Sequence, residues 1–165
     1  MCNIREFAAE DWSAVWEMLA PVLRAGETYA LPPDLDEMAA REIWIGRPWQ
    51  TFVAVDEADA MLGTYYIKPN QTGPGAHVCN CGYVVSDRAR GQGIASRMCE
   101  HSQAVALQLG FRAMQFNCVV ATNDVAVRLW QKHGFAIVGT LPGAFRHPLH
   151  GFVDAHVMNK QLAAG

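Results

Sequence analysis

The run Arg88-Ala89-Arg90-Gly91-Gln92-Gly93-Ile94-Ala95 constrains this chain more than any other eight residues. It follows a strand-like stretch, Cys79 to Val85, and opens a helix that the sequence carries to about Leu109, with Gly110 as its stop. Glycines at 91 and 93 let the backbone approach a ligand with no Cβ in the way. The helix start behind them offers unpaired N–H groups and the positive end of a macrodipole. Arg88 and Arg90 add full charges beside it. Together these features predict a polyphosphate cradle, with a pyrophosphate as the best fit.

The common nucleotide signatures do not fit this run. A P-loop needs Gly-Lys-Ser/Thr after a four-residue gap, and the chain has none. A dinucleotide fold needs a third glycine where Ser96 stands, and an acidic residue about twenty positions on. Leu109 to Met114 carry no acid. A ligand-free strand-to-helix turn is the plain structural alternative. What remains is Arg-x-x-Gly-x-Gly followed by the small Ala95. That spacing resembles the acyl-CoA loop of the GNAT superfamily of N-acetyltransferases. The resemblance implies that Arg88, Arg90, Gly91, Gln92, Gly93, Ile94 and Ala95 hold the coenzyme A pyrophosphate, largely through successive backbone N–H groups.

A second block supports it. Asn123-Asp-Val-Ala-Val-Arg-Leu-Trp-Gln-Lys-His-Gly-Phe135 is similar to the family pattern Asn-x-x-Ala-x-x-Leu-Tyr-x-x-x-Gly-Phe, with Trp130 at the tyrosine position. Read physically, Asn123 or Thr122 caps a helix and Asp124 suits its first turn. Ala126, Leu129, Trp130 and His133 share one face, Gly134 supplies a left-handed stop, and Phe135 starts a strand. The resemblance covers most of the chain and is sharpest from Gly82 to Phe135. By it, Asn123 and Trp130 join the coenzyme contacts.

Bulk properties set the limits. At 165 residues, positions 1–165 are expected to form one domain. Half the residues are hydrophobic, yet no run approaches the length of a membrane span. The start Met-Cys-Asn-Ile-Arg-Glu lacks a basic-then-apolar leader, so a cytoplasmic protein is expected. Five cysteines, an odd number, suit free thiols in a reducing compartment. A net charge of −3 argues against non-specific nucleic-acid binding.

Pattern and punctuation then order the elements. Asn3–Phe7 reads as a strand, and Ala9–Leu23 as an amphipathic helix bearing Trp12, Val15, Trp16 and Leu19. A loop stiffened by Pro32 and Pro33 leads to a helix over Leu35–Ile45. Residues 51–55 and 61–68 form a hairpin across an acidic turn. Strands at 77–85 and 112–120 flank the long helix. The helix at 123–133, a strand at 135–140 and a last strand from the 145–158 tail complete a mixed α/β chain. The resemblance implies the GNAT fold: a central, mostly antiparallel sheet splayed between its fourth and fifth strands, with about four flanking helices.

In that fold the pantetheine arm lies in the splay. Carried over, Tyr83, Val84 and Val85 face it, and one of their N–H groups supports the oxyanion of a tetrahedral intermediate. The family's usual strand glutamate is missing from His77-Val78-Cys79-Asn80-Cys81-Gly82. Asn80 and Asn117 stand on the two splayed strands, and asparagine is uncommon inside strands because its amide competes for backbone hydrogen bonds. Either they serve the acceptor or they mark a local bulge. With Lys68-Pro69-Asn70 and Phe116-Asn117-Cys118-Val119-Val120-Ala121-Thr122-Asn123, they resemble a GNAT subgroup that acetylates cyclic secondary amino acids such as azetidine-2-carboxylate. That resemblance implies that the asparagines hold the amine and carboxylate. Asn80 and Tyr83 are thus the catalytic candidates, and Glu27, Tyr29, Asn80 and Asn117 the substrate candidates. Trp130 has an N–H but no acid near neutral pH.

The expectation is direct acetyl transfer from acetyl-CoA to a small-molecule amine, with no metal, nucleic acid or membrane involved. A homodimer is consistent with the resemblance. A metal at His77, Cys79 and Cys81 lacks zinc-knuckle spacing. An acyl-cysteine at Cys81 or Cys118 lacks a charged partner to lower its pKa. Peptide N-terminal acetylation, or a non-catalytic acyl-CoA sensor or interaction module, are the rivals; the 141–151 segment, with Pro142 and Pro148, is expected to narrow the open groove that a peptide needs.

Overall fold

The computed structural model describes residues 2–163. The early hairpin shows how local chemistry sets geometry. Strands β2 (Gln50–Val55) and β3 (Met61–Pro69) are joined by a turn that Asp56 closes. Its Oδ1 accepts the N–H groups of Ala58 and Ala60, both at 2.9 Å. Strand β1 (Asn3–Glu6) pairs antiparallel with β2 on the outer side.

Helix α1 (Trp12–Ala25) follows a 3-10 turn at Ala9–Asp11 and buries Val15, Leu19 and Leu23. These pack on Val53, Val55 and Val84 of the sheet. Gly26, at φ +65°, ends the helix in the left-handed region. The next helix differs from the 35–45 expectation. α2 (Glu37–Arg41) begins later, because Asp36 is the cap and accepts the Ala39 N–H at 2.8 Å. It then widens into a π-helical turn over Glu42–Gly46. That turn carries Trp44 fully inside, where its indole N–H donates to Thr64 Oγ1 at 3.2 Å.

With β4 (Val78–Val85), β5 (Ala113–Val120), β6 (Ala136–His147) and β7 (Gly151–Gln161), the seven-stranded sheet of the described residues runs β1-β2-β3-β4-β5-β7-β6. All neighbours are antiparallel except β4 and β5. These two are parallel and paired only at Val78↔Ala113 and Cys79↔Met114, after which they part. A bulge helps: from Phe116 to Val119, β5 spends one residue more than β7 opposite it. Helix α3 (Ile94–Gln108) covers one face and α1 with α2 the other; α4 (Asp124–Lys132) packs Ala126, Val127 and Trp130 into the same core cluster as α3. This is the arrangement that the resemblance implies: a mostly antiparallel sheet opened between β4 and β5, with α1 to α4 around it.

The C-terminal strands also correct the sequence boundaries. β6 spans Ala136–His147 rather than 135–140, so Phe145 belongs to it and not to the last strand. Register shifts at Ile137/Gly139 and Leu141/Phe145 absorb the misfit of Pro142 and Gly143, and the Gly143 N–H is taken by Asp154 Oδ1 at 2.9 Å. β6 is the outermost strand. Residues 141–151 therefore sit at the far edge and line neither cavity described below. No described helix is long and apolar enough to cross a membrane.

Candidate active site

The parting of β4 from β5 leaves backbone groups with no strand to meet. Ser86 N–H bonds to Leu62 C=O at 2.9 Å, and Asn70 N–H to Val78 C=O at 2.8 Å. These bonds set the phase of the antiparallel β3–β4 pair, in which every second residue of β4 bonds to β3. Residues 78, 80, 82 and 84 are the bonded ones. Past Cys79, the N–H and C=O groups of Cys81, Tyr83 and Val85 therefore turn into the fork. Val84 is out of phase: its backbone pairs with Thr64 and its side chain is buried against α1. Of the three residues expected to face a pantetheine arm, Tyr83 and Val85 present backbone to the gap and Val84 does not. Tyr29 reaches across, and its hydroxyl donates to the Tyr83 carbonyl at 2.6 Å.

The glycine loop lies at the open end of β4. A 3-10 turn, Asp87–Ala89, precedes it, and Gly91 and Gly93 take φ of +75° and +76°. No atom lies within 4 Å of where a Cβ at either glycine would stand, so the approach is clear. Gly93 is the N-cap of α3 and has no side chain to serve it; the Arg97 N–H to Gly93 C=O bond (3.1 Å) is the helix's first. The N–H groups of Ile94, Ala95 and Ser96 precede that bond and suit an anion. These residues fit a pyrophosphate. Both arginines are partly engaged already. Arg88 Nη2 donates to the Met61 carbonyl at 2.8 Å, and Arg90 pairs with Asp87 at 2.8 Å. Gln92 Nε2 donates to the Arg88 carbonyl at 2.9 Å, tightening the loop. Ser96 Oγ lies 2.6 Å from His133 Nε2, tying the start of α3 to the end of α4.

A cavity of about 370 Å³ opens at the fork. On one side stand Tyr83, Phe116 and Trp130, whose rings pack with centroids 4.8 to 5.9 Å apart. Trp130 is thus both a packed aromatic and a cavity wall. Asn123 likewise holds two positions: its side chain caps α4 by accepting the Ala126 N–H at 3.1 Å, and it lines the cavity. On the other side stand Tyr29, Trp44 and Tyr66, with Trp44 edge-on to both tyrosines.

Both strand asparagines line this cavity, and both are engaged. Asn80 Nδ2 donates to the Gln115 carbonyl at 3.0 Å, bridging the fork, and its Oδ1 receives the Tyr66 hydroxyl at 3.4 Å. Asn117 sits at the β5 bulge, where its amide donates to Asn70 Oδ1 at 2.7 Å and accepts from Gln115 Nε2 at 3.0 Å. Glu27 lies elsewhere. It lines a neighbouring groove of about 650 Å³ beside Val85, Arg88 and Arg90, while Tyr29 two residues on faces the acceptor cavity.

Among the described residues no carboxylate and no imidazole lines this cavity; Arg47 and Lys68 do. Burial pushes the Tyr66 hydroxyl up to about 12 and raises Tyr29 and Tyr83 further. The Tyr83 hydroxyl is bound to Ser102 Oγ at 2.7 Å and its carbonyl to Tyr29, which leaves its backbone N–H as the part available at the fork. Burial also raises the thiols of Cys81 and Cys118, so neither is a ready thiolate near neutral pH. His77 Nδ1 lies 3.1 Å from the Pro74 carbonyl, and among the described residues no three His, Cys, Asp or Glu side chains gather as metal ligands. Sequence reasoning missed Trp44, Tyr66 and Arg47. The signal for Tyr66 was cross-strand: it is paired with Gly82, whose missing Cβ leaves room for the ring.

Residues 9–135 match the acetyltransferase (GNAT) family, and the chain belongs to that family. Its relatives narrow the comparison. The structure of a GCN5-related N-acetyltransferase from Kribbella flavida is 43% identical, covers 97% of each chain and superposes with a TM-score of 0.93. The N-acetyltransferase aca1 of Schizosaccharomyces pombe is 37% identical over 105 residues, which are 63% of this chain and 50% of that protein. The chain thus spans about half the length of this curated relative. A phosphinothricin acetyltransferase from Sinorhizobium meliloti, solved in complex with AcCoA, is 22% identical, covers 99% of this chain and 90% of that one, and has a TM-score of 0.86. That last likeness speaks for the fold.

Proposed function

We propose that this protein transfers the acetyl group of acetyl-CoA to the amine of a small molecule, an amino acid or cyclic amino-acid analogue. One observation carries the reading. The fork between β4 and β5 joins an uncapped glycine loop, suited to a pyrophosphate, to an aromatic cavity with polar groups at its throat. Bound acetyl-CoA supplies an activated thioester.

The chain's own residues supply position and polarity. Gly91 to Ser96 hold the diphosphate through backbone N–H groups, and the backbone edges of Tyr83 and Val85 align the pantetheine arm. An N–H of that edge supports negative charge on the thioester oxygen as the amine adds. Asn80 keeps the fork open at a fixed width and presents its amide oxygen at the throat. With no carboxylate or imidazole in the wall, the amine loses its proton to water before attack. The raised thiols at 81 and 118 favour direct transfer over an acyl-cysteine. A cytoplasmic location and a homodimer belong to the same proposal. The dimer is supported by the exposed outer strand β6, which carries Val138 and Leu141, and light scattering on the purified protein tests it.

The test of the activity is release of free coenzyme A thiol from acetyl-CoA with a panel of amino acids and proline analogues, azetidine-2-carboxylate among them. Turnover on that panel supports the reading. Turnover only on peptide N-termini redirects it, and tight acetyl-CoA binding with no turnover on any amine supports the sensor alternative.

A further inference from the structure

We propose that Lys68, assisted by Arg47, binds the carboxylate of the acceptor and selects acceptors that carry one. This rests on the acetyltransferase reading and names the substrate class of the same site.

The charge inventory of the cavity carries the argument. The chain has 16 acidic residues and a net charge of −3, yet none of those acids lines the acceptor cavity. Its two charged wall residues are both cations, Arg47 and Lys68. A pocket with that lining in a net acidic protein repels cationic acceptors and attracts anionic ones.

The placement of Lys68 follows from register. It is paired with Asn80 across β3–β4, so both side chains rise on the same face of the sheet, next to the fork. Its ammonium lies 5.4 Å from the Tyr66 ring centroid, and among the described residues it has no ion-pair partner. Arg47 stands at the rim with an exposed, long pairing to Glu42 at 3.7 Å, an arrangement that a better-placed carboxylate displaces readily. A carboxylate at Lys68 gains a charge-assisted hydrogen bond that the protein itself leaves unmade.

The rest of the cavity suits the remainder of such a molecule. Tyr29, Trp44 and Tyr66 form an edge-to-face aromatic wall, with centroids 5.8 and 4.9 Å apart, that fits a short aliphatic or cyclic skeleton. With the carboxylate at Lys68, an amine one carbon away points toward Asn80 and the fork. The two cations also disfavour a charged amine, which raises the fraction of the neutral nucleophile.

The test compares amino acids with their own carboxamides and their decarboxylated amines. Binding is read by calorimetry on protein saturated with coenzyme A, and turnover by thiol release with acetyl-CoA. At least one acid is expected to bind tenfold or more tightly than its amide, and Lys68→Met to erase that preference while Lys68→Arg keeps most of it. Acetyl-CoA affinity and Tm measured on the same variants show that the fold and donor site are intact. Equal binding of acid and amide, no binding by any acid, or a preference that survives Lys68→Met overturns the proposal. Preferential binding of acids without acetyl transfer supports this subsite and contradicts the acetyltransferase reading. Acetylation that ignores the carboxylate does the reverse.

Discussion

The side-chain amide of Asn80 donates to the backbone carbonyl of Gln115 at 3.0 Å, one step beyond Cys79↔Met114, the last rung of the β4–β5 ladder. A side chain thus takes over where backbone pairing stops. The opening is thereby pinned at its root, and further along the Tyr83 N–H and the Val85 backbone face the gap, while the Tyr83 carbonyl is taken by Tyr29. Asn80→Ala removes this bridge and leaves a half-buried carbonyl short of a donor. The expected cost is about 1 kcal/mol of stability. Turnover should fall more than acetyl-CoA affinity, because the acceptor throat loses its shape while the glycine loop is untouched. Steady-state kinetics with denaturant unfolding checks both; full activity in the variant would leave Asn80 with a packing role alone.

Gly82 governs the position of Tyr66. A Cβ at 82 would lie 2.6 Å from the Tyr66 ring, and that ring is held edge-on by Trp44 with centroids 4.9 Å apart. Gly82→Ala therefore forces the ring out of the acceptor wall, at an overpacking cost of about 1–3 kcal/mol. The KM for the acceptor is expected to rise severalfold with little change in acetyl-CoA binding. Gly82→Ala with Tyr66→Phe should not recover it, since the clash involves ring carbons as well as the hydroxyl; Gly82→Ala with Tyr66→Ala removes the clash but leaves a gap.

Gly93 tests the donor end. Its φ of +76° strains any other residue by roughly 1–2 kcal/mol. The surrounding space is open, so Gly93→Ala is tolerated in packing terms. Its Cβ and altered backbone should weaken acetyl-CoA binding at least tenfold and leave the acceptor KM near its starting value. Calorimetry with coenzyme A reads this directly.

The pH dependence follows from what faces the cavity. Burial holds the Tyr66 hydroxyl at about 12 and raises the Tyr29 hydroxyl and the Cys81 thiol, so these groups keep their protons through the neutral range. With no carboxylate or imidazole in the wall, kcat/KM should rise with pH along a single limb that belongs to the acceptor amine. An acceptor of lower amine pKa should move that limb down by the same amount. A limb that stays fixed when the acceptor changes reveals a protein base.

How much of this could be read from sequence depends on the range of the interactions. The glycine loop and helix α4 with its Asn123 cap are legible because each is a local device, fixed by left-handed glycines, a cap and a stop within a few residues. The fork and its backbone edge followed from the family resemblance, not from periodicity. The acceptor wall was largely hidden. Tyr66 and Lys68 reach it through their partners Gly82 and Asn80 on the next strand, and Trp44 through a π-helical turn that the apolar pattern of 35–45 does not signal. Glu27 lies outside the fork cavity for a related reason. The loop after Gly26 is pinned by the Tyr29 hydroxyl on the Tyr83 carbonyl, and Glu27 lines the groove beside Arg88 instead. Phe145 moved between strands because bulges let β6 run through Pro142 and Gly143.

The most direct measurement is thiol release from acetyl-CoA by the purified protein, with amino acids and matched amines lacking the carboxylate as acceptors. Saturable release with a carboxylate-bearing amine, formation of its N-acetyl product in equal amount, and a loss of that preference in Lys68→Met are expected. Acetyl-CoA binding with no N-acetyl product from any amine would contradict the acetyltransferase reading.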